Sequence, residues 1–240
     1  MGVDEARLRP GDLSDAFDDA AAAYDRLVGA SPGYHADLLL SARRMRIPMR
    51  GRGLRLLDAG CGTGASTAAL LAVAPEADVV AVDASRRMLD MALAKNWPAS
   101  VRFVHTPVEQ LDEHGITGPF DGILAAYLVR NLADRDGQLR HFRRLLRPGG
   151  TLAVHEYSVR DSPAAVRIWR AVCWCIIIPA GWWHTRDTTL YRYLLRSVLA
   201  FDGSAQFRRR LADAGFTAVH SETMPGWRTN IVHTFLADAP

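Results

Sequence analysis

Short apolar segments alternate with helical segments from Leu54 onward. Apolar runs of this kind predict strands buried on both faces, and the helical stretches between them predict crossover connections. Parallel strands are predicted over 55–58, 79–83, 101–104, 122–125 and 151–154. Helices are predicted over 64–74, 85–95, 107–112 and 134–146, the last ended by the turn Arg147-Pro-Gly-Gly150. This alternation is typical of a doubly wound α/β fold.

The two ends of the chain complete this prediction. Two helices, separated by Ser31-Pro-Gly33, are predicted to form an N-terminal cap over 12–50. A helix over 204–214 and an antiparallel strand pair over 217–223 and 230–236 are predicted to close the fold. The expected architecture is a Rossmann-like, seven-stranded, mostly parallel sheet in one domain over 1–240, whose cofactor-binding core spans 54–158.

An aromatic, apolar segment interrupts this rhythm at 160–200, before a polar helix predicted over about 188–199. Its most apolar part, 171–183, is thirteen residues long and contains Pro179 and Gly181, which predicts a segment too short and too broken to span a membrane. A helical lid over a greasy substrate is one interpretation, and a dimer interface or a core helix is another. Tryptophan favours apolar–polar boundaries, so contact with a membrane surface is also open.

Composition narrows the class further. The 49% apolar and 23% charged content is typical of globular proteins, and all but one of the 29 basic residues are arginine. The basic run over 43–52 is interpreted as solvated helix faces, and we expect no nucleic-acid partner. Three cysteines without a C-x-x-C pair, and no secretion signal, predict reduced thiols in the cytoplasm and no metal site.

The strongest local signal is the glycine loop between the first strand and the next helix. Its members are Asp58, Ala59, Gly60, Cys61, Gly62, Thr63 and Gly64. Dinucleotide folds use G-x-G-x-x-G for a pyrophosphate, whereas this loop is G-x-G-x-G preceded by an acid. The acid would repel a pyrophosphate but suits the ammonium of a methionine moiety. The loop therefore predicts S-adenosylmethionine as the ligand, the alternative being a purely structural turn.

Further candidates follow the next strands. Asp83 ends the second strand, where a carboxylate can accept both hydroxyls of a ribose; a helix cap is the alternative. The loop after the third strand suits adenine, and Pro107 has no side-chain donor, so the Val108 backbone would recognise the base; an ordinary surface loop is the alternative. Ala84, Met88 and Glu109 are predicted neighbours of the same ligand. The fourth strand leads to Ala126, Tyr127, Arg130 and Asn131 at the same sheet edge. Arg130 and Asn131 can hold a water or an oxyanion, unless Arg130 instead pairs with Asp134 or Asp136.

At these residues the chain resembles the ubiquinone/menaquinone biosynthesis C-methyltransferase family. The similarity includes the segments Ala-Ala-Tyr24-Asp25, Asp58 to Gly64, Arg130-Asn131, Leu146 to Gly150, His155 to Ser158, Tyr191 to Leu194 and Ala214-Gly-Phe216. It implies a class I S-adenosylmethionine-dependent methyltransferase in which Thr63, Asp83, Val108 and Ala126 border the cofactor. It also implies that Arg130 and Asn131 face the ring being methylated. Pro107 departs from a polar residue usual in that family, and Trp182-Trp183 are local features.

The resulting hypothesis is C-methylation of a prenylated quinol or a similar lipophilic aromatic. Arg130, Asn131, Tyr127 and Tyr193 are the candidate catalytic residues, and Tyr24 and Tyr127 are expected to face the sulfonium. Tyr193, His155, Glu156 and His184 are secondary acid/base candidates, and for each of them a structural role is the favoured alternative. A cytoplasmic enzyme, peripheral at the inner membrane face and open to homodimerisation, is expected. The alternatives are an O- or C-methyltransferase of secondary metabolism, a non-catalytic module, and an NAD-dependent oxidoreductase, which the glycine spacing disfavours.

Overall fold

The structure, a computed structural model, describes residues 33–185 and 188–240. Tyr24 and the first predicted N-terminal helix lie outside the described residues. The second predicted helix is present as α1, Tyr34–Arg44, followed by a 3₁₀ turn at Pro48–Gly51. Its buried residues pack on the sheet, so this part of the predicted cap contributes to the core.

A seven-stranded sheet forms the centre of the molecule and confirms the predicted fold class. The strands are β1 Arg55–Ala59, β2 Asp78–Asp83, β3 Val101–His105, β4 Phe120–Ala126, β5 Leu146–Tyr157, β6 Thr217–Thr223 and β7 Val232–Asp238. Their order across the sheet is β3-β2-β1-β4-β5-β7-β6. Strands β1 to β5 are parallel, and β7 runs antiparallel to both β5 and β6. The order reverses between β1 and β4, which is where ligands bind in open α/β sheets.

Helices cover both faces of this sheet. They are α2 Ala65–Val73, α3 Arg86–Leu93, α4 Arg135–Leu145, α5 Pro163–Val172, α6 Ile178–Thr185, α7 Thr189–Ala200 and α8 Ser204–Asp213. Successive residues of a strand point to opposite faces of the sheet. Leu57 and Ile123 pack in the hydrophobic core on one face, and Leu56 and Leu124 pack in the core on the other face. A separate cluster around Trp169 lies under α5 and α7.

Two predicted boundaries were wrong. The short helix over 107–112 is instead a pair of 3₁₀ turns, Val108–Gln110 and Asp112–His114. Strand β5 begins at Leu146 rather than after the Arg-Pro-Gly-Gly segment, because Leu146 pairs with Phe120 and the Gly149 N–H donates to the Ala239 carbonyl. The segment predicted as the turn before the fifth strand is therefore part of β5.

The prediction that the apolar segment is broken was also wrong. Helix α5 runs through a π turn at Cys173–Ile177 into α6, so the helix is continuous past Pro179. A proline ring clashes with the carbonyl four residues earlier, and a wider π turn just before it relieves that clash. The apolar stretch Pro163–Trp183 is 21 residues long, and by length and composition alone it could cross a membrane. The buried core helix of a soluble protein can meet the same two criteria. Only 28% of its most apolar window is buried inside the protein.

Candidate active site

A cavity of about 200 Å³ opens at the carboxyl ends of β1, β2 and β4. Most of the predicted ligand residues line it: Gly60, Cys61, Gly62, Thr63, Asp83, Ala84, Met88, Pro107, Val108, Glu109, Ala126, Tyr127 and Asn131. The sequence did not indicate six further lining residues, Tyr34, Ala65, Ser66, Ser85, Leu128 and Leu132. Ser66 and Ser85 lie where helices α2 and α3 begin. Because ligands often bind at helix N-termini, both residues could have been predicted from the sequence.

The glycine loop needs its glycines for backbone reasons. Gly60, Gly62 and Gly64 have φ of 75°, 53° and 90°, in the left-handed region that disfavours other residues. A side chain at Gly64 would place its Cβ 2.6 Å from the Trp97 ring, whereas a Cβ at Gly62 would meet nothing within 4 Å. The Lys95 ammonium donates to the Thr63 carbonyl at 2.7 Å and supports the loop from behind.

Asp83 ties the loop to the next helix. Its carboxylate accepts the Gly62 N–H at 2.7 Å and the Ser85 N–H at 2.8 Å. The cap of α3 is the Ser85 hydroxyl, which accepts the Met88 N–H, so Asp83 is not the helix cap that the sequence left as an alternative. Asp83 therefore stands on the cavity surface at the junction between the glycine loop and α3.

Asp58 lies beneath the loop and not on the cavity surface. It is fully buried, and its Oδ2 accepts hydrogen bonds from Ser66 Oγ at 2.8 Å and Thr67 Oγ1 at 2.6 Å. Burial raises the Asp58 pKa to about 7, against the opposing effect of the two hydroxyls. Its Oδ1 is buried without a hydrogen bond within the described part of the chain. An orphaned acidic oxygen behind an open glycine loop fits a cationic ligand group.

The loop after β3 closes the far end of the cavity. Pro107, Val108 and Glu109 line it, as predicted for the adenine end of the ligand. The Val108 carbonyl already accepts a hydrogen bond from Gln138 Nε2 at 3.0 Å. This bond holds the loop against α4 and leaves the carbonyl one further acceptor position. Ala59 and Gly64 are structural members of the glycine loop and do not line the cavity.

Arg130 does not pair with either predicted aspartate. Its Nε lies 3.3 Å from Glu156 Oε1, and both side chains are almost completely buried. Asp134 instead caps α4 by accepting the Gly137 N–H, and Asp136 pairs with Arg210. Burial raises the Glu156 pKa, and the positive charge of Arg130 opposes that effect. Arg130 is therefore behind the cavity wall and reaches the cavity only through its neighbours.

Asn131 is the member of this group that lines the cavity. Its Oδ1 accepts hydrogen bonds from Arg130 Nη1 at 3.0 Å and from the Tyr193 hydroxyl at 3.1 Å. Its Nδ2 donates to the Tyr127 carbonyl at 3.1 Å. Burial raises the Tyr193 pKa, which keeps that phenol protonated. Arg130 and Tyr193 thus orient the Asn131 amide from behind.

Tyr127 follows β4 in an unusual backbone conformation. Its φ is 55°, which is uncommon for an aromatic residue and typical of functional positions. The Tyr127 N–H donates to the His155 carbonyl at 2.7 Å, and its ring stacks on Tyr34 with centroids 5.7 Å apart. His155 and Glu156, the secondary candidates, are fully buried. The side chain of His184 lies outside the described residues.

Within residues 33–185 and 188–240, no cluster of three or more His, Cys, Asp or Glu could hold a metal ion. The cavity instead offers backbone N–H groups, carboxylates and aromatic rings. These groups suit a ligand that carries a cation, hydroxyls and an apolar ring.

The chain is similar to known proteins over most of its length. The model of the ubiE/COQ5 methyltransferase family matches residues 3–234. The ubiquinone/menaquinone biosynthesis C-methyltransferase UbiE of Syntrophotalea carbinolica is 34% identical, over 91% of this chain and 92% of its own length.

Solved structures share the fold at lower identity. A putative methyltransferase in complex with the Haloferax volcanii Trm112 activator has a TM-score of 0.67 at 18% identity, covering 95% of this chain and 97% of its own. Phosphoethanolamine N-methyltransferase 2 of Haemonchus contortus, bound to phosphomonomethylethanolamine and S-adenosylhomocysteine, has a TM-score of 0.68 at 19% identity, over 95% of this chain and 59% of its own.

Proposed function

Because the chain belongs to the ubiE/COQ5 methyltransferase family, we propose that it transfers the methyl group of S-adenosylmethionine to a ring carbon of a prenylated quinol or a similar lipophilic aromatic. Methyl transfer from S-adenosylmethionine follows from the family, and the acceptor is the proposed part. The observation that carries the cofactor assignment is the pairing of the Asp83 carboxylate with the glycine loop at the cavity.

Each part of the cavity has a distinct task in this proposal. The Asp83 carboxylate would accept the ribose hydroxyls, the buried Asp58 would stabilise the methionine ammonium, and the loop from Pro107 would cover the adenine. Tyr127 would present its ring to the sulfonium, a cation–π contact of about 0.5–2 kcal/mol. S-adenosylmethionine supplies a methyl group that is already activated.

The chain's own contribution to the reaction is then positioning and exclusion of water. The Asn131 amide would orient the acceptor's hydroxyl or a water beside it, and the positive charge of Arg130 would favour a phenolate as it forms. Since Arg130 is paired with Glu156 behind the wall, it would act through Asn131 and through its field. The phenolic proton, and the ring proton that the methyl group replaces, would leave to that water, while the sulfonium would become the neutral thioether of S-adenosylhomocysteine.

The lipophilic acceptor is supported by the outer face of α5, the π turn and α6. Trp174, Ile176 and Trp183 are 55%, 62% and 71% exposed, which is unusual for large apolar side chains. The segment 163–185 contains no Asp or Glu, and its exposed Arg167 and Arg170 would suit an anionic lipid surface. We propose that this face is both the lid over the prenyl tail and a peripheral contact with the cytoplasmic side of the membrane.

The direct test supplies the purified chain with S-adenosylmethionine carrying a labelled methyl group and with a total lipid extract. We expect label in a prenylated aromatic, as a methyl group on a ring carbon that boron tribromide, which cleaves aryl methyl ethers, does not release. Label on oxygen, or label only in a small water-soluble aromatic, would reject the quinol proposal in favour of a methyltransferase of secondary metabolism. Mass spectrometry of the labelled product before and after ether cleavage distinguishes these outcomes.

The lid and membrane contact predict a selective defect. In the variant Ile176→Ser/Trp183→Ser, we expect methylation of a prenylated acceptor to fall about thirtyfold, since two exposed apolar side chains that each contribute roughly 1 kcal/mol on burial contribute about 2 kcal/mol together. The Kd for S-adenosylmethionine should stay within about twofold of the parent. Sedimentation with phosphatidylglycerol vesicles should fall in parallel.

Trp227→Ser is the matched control, since Trp227 is 50% exposed but lies in the turn between β6 and β7. An equal loss of cofactor binding and methylation in the double variant would reject the lid, and unchanged vesicle binding would reject the membrane contact.

Asp58 predicts a proton released on cofactor binding. Burial raises its pKa to about 7, so near pH 6.5 the carboxyl is largely protonated in the free protein. A bound ammonium favours the carboxylate, so binding should release part of a proton at pH 6.5, and the release from Asp58 should disappear at pH 8.5, where this carboxyl is already ionised. The calorimetric binding enthalpy in buffers of different ionisation enthalpy measures this number.

Asp58→Asn should abolish the release, and Asp78→Asn, at the exposed opposite end of β2, should leave it intact. A proton count of zero at pH 6.5 in the parent would contradict the assignment. In the absence of ligand, the raised pKa of Asp58 makes the free energy of unfolding decrease with pH. The folded state binds the proton more tightly, so the Asp58 contribution to stability falls as pH rises from about 4 to about 7.

A further inference from the structure

A chain of buried and partly buried hydrogen bonds connects the cavity to a charged side chain on α1. The Tyr127 hydroxyl lies 2.9 Å from His155 Nε2, and His155 Nδ1 lies 2.8 Å from Ser41 Oγ. Ser41 Oγ lies 2.7 Å from Thr234 Oγ1, which accepts a hydrogen bond from Arg44 Nη1 at 2.8 Å. Ser41, His155 and Thr234 are fully buried. The proposed roles of Asn131 and Arg130 use none of these bonds.

The arginine sets the direction of every bond in this chain. Arg44 can only donate, so the Thr234 hydroxyl accepts from it and must donate its own proton to Ser41. Ser41 then donates to His155 Nδ1, which must be unprotonated. A neutral imidazole with a bare Nδ1 carries its proton on Nε2 and donates it to the Tyr127 hydroxyl oxygen. The reverse direction would leave the Thr234 proton buried without an acceptor, which costs about 1–3 kcal/mol.

We propose that His155 is a positioning residue, which in its Nε2-protonated neutral form donates to the Tyr127 hydroxyl and holds the Tyr127 ring in place against the cofactor cavity. The ring is also held by its edge contact with the His155 imidazole, with centroids 4.7 Å apart, and by the stack on Tyr34. The left-handed backbone of Tyr127 needs such support, since that conformation persists only where the surroundings enforce it. The functional consequence rests on the proposed cofactor.

The surroundings of His155 keep it neutral. Burial, together with the positive charges of Arg44 on α1 and Arg228 in the turn before β7 and with the neighbouring His233 imidazole on β7, lowers its pKa to about 3. The carboxylate of Asp37 on α1 partly offsets the charge of Arg228, because its Oδ2 lies 2.8 Å from Arg228 Nε. His155 therefore serves as a directional donor throughout the neutral pH range and not as a base.

The first test reads the tautomer directly in the full chain. In protein labelled with ¹⁵N-histidine, long-range ¹H–¹⁵N spectra should show one of the eight imidazoles with a proton on Nε2, a bare Nδ1 and no titration between about pH 5 and 9. The His155 signal is identified by its shift in Tyr127→Phe. A proton on Nδ1, or titration in that range, would overturn the proposal. Cofactor is absent from this test, so a failed cofactor assignment cannot cause its failure.

The second test compares His155→Gln, whose amide can donate near the Nε2 position, with His155→Asn, whose amide lies near Nδ1. We expect His155→Asn to weaken S-adenosylmethionine binding by about fivefold and His155→Gln by less than about twofold, the size of one neutral hydrogen bond. In the Tyr127→Phe background the two substitutions should have equal effects. Equal affinities in the parent background, or a difference that persists with Tyr127→Phe, would overturn the proposal. Should a His155 variant fail to fold, the tautomer measurement decides alone.

Discussion

Asp83→Ala is expected to weaken S-adenosylmethionine binding by about 100-fold, since two hydrogen bonds to a charged acceptor contribute roughly 3 kcal/mol together. The substitution removes the acceptor proposed for the ribose hydroxyls and also releases the Gly62 N–H, so the loop loses its link to β2. Titration calorimetry of the purified variants measures the change.

Asp78→Ala is the control for this result, because Asp78 lies at the exposed opposite end of the same strand. Its affinity should match that of the parent protein. A Kd for Asp83→Ala within about threefold of the parent would remove the basis of the cofactor assignment. Thermal unfolding of both variants without ligand separates loss of binding from loss of folded protein.

Glu156→Gln should lower the free energy of unfolding by about 3 kcal/mol, because it leaves the Arg130 guanidinium buried without its counter-charge. The two side chains are 0% and 4% exposed, so water cannot replace the carboxylate. Urea unfolding with linear extrapolation measures the loss, and the slope with denaturant should not change.

Glu76→Gln is the matched control for this ion pair. Glu76 pairs with Arg50 and Arg52 at the surface, where such pairs contribute about 0–1 kcal/mol. A loss below about 1 kcal/mol in Glu156→Gln would mean that other groups compensate Arg130, and Asn131 would then be oriented without the ion pair.

The order of elements and the cavity were predictable because both depend on local patterns. Buried strands form continuous apolar runs, and parallel strands end at one sheet edge, so Asp58, Asp83 and Asn131 were expected to approach one another. The structure brings Asp83 and Asn131 to the cavity but leaves Asp58 under the loop. The orientation of each side chain decides whether it faces the cavity or lies behind it. The spacing of residues in the sequence does not specify that orientation.

Other features depend on contacts between distant segments, and these could not be predicted. Ser41 and Thr234 meet although 193 residues separate them, and no local signal marks either as a partner of His155.

The continuous apolar helix was not predicted, for a different reason. Pro179 and Gly181 normally interrupt helices, and the π turn that accommodates Pro179 has no sequence signature of its own.

Lys95 allows this chain to be labelled at a single side-chain amine. It is the only lysine in the sequence, it is exposed, and it donates to the carbonyl of Thr63 in the glycine loop. An amine-selective reagent therefore has a single side-chain target. A fluorophore or an isotopically labelled tag attached there would report events at the loop without background from any other side chain.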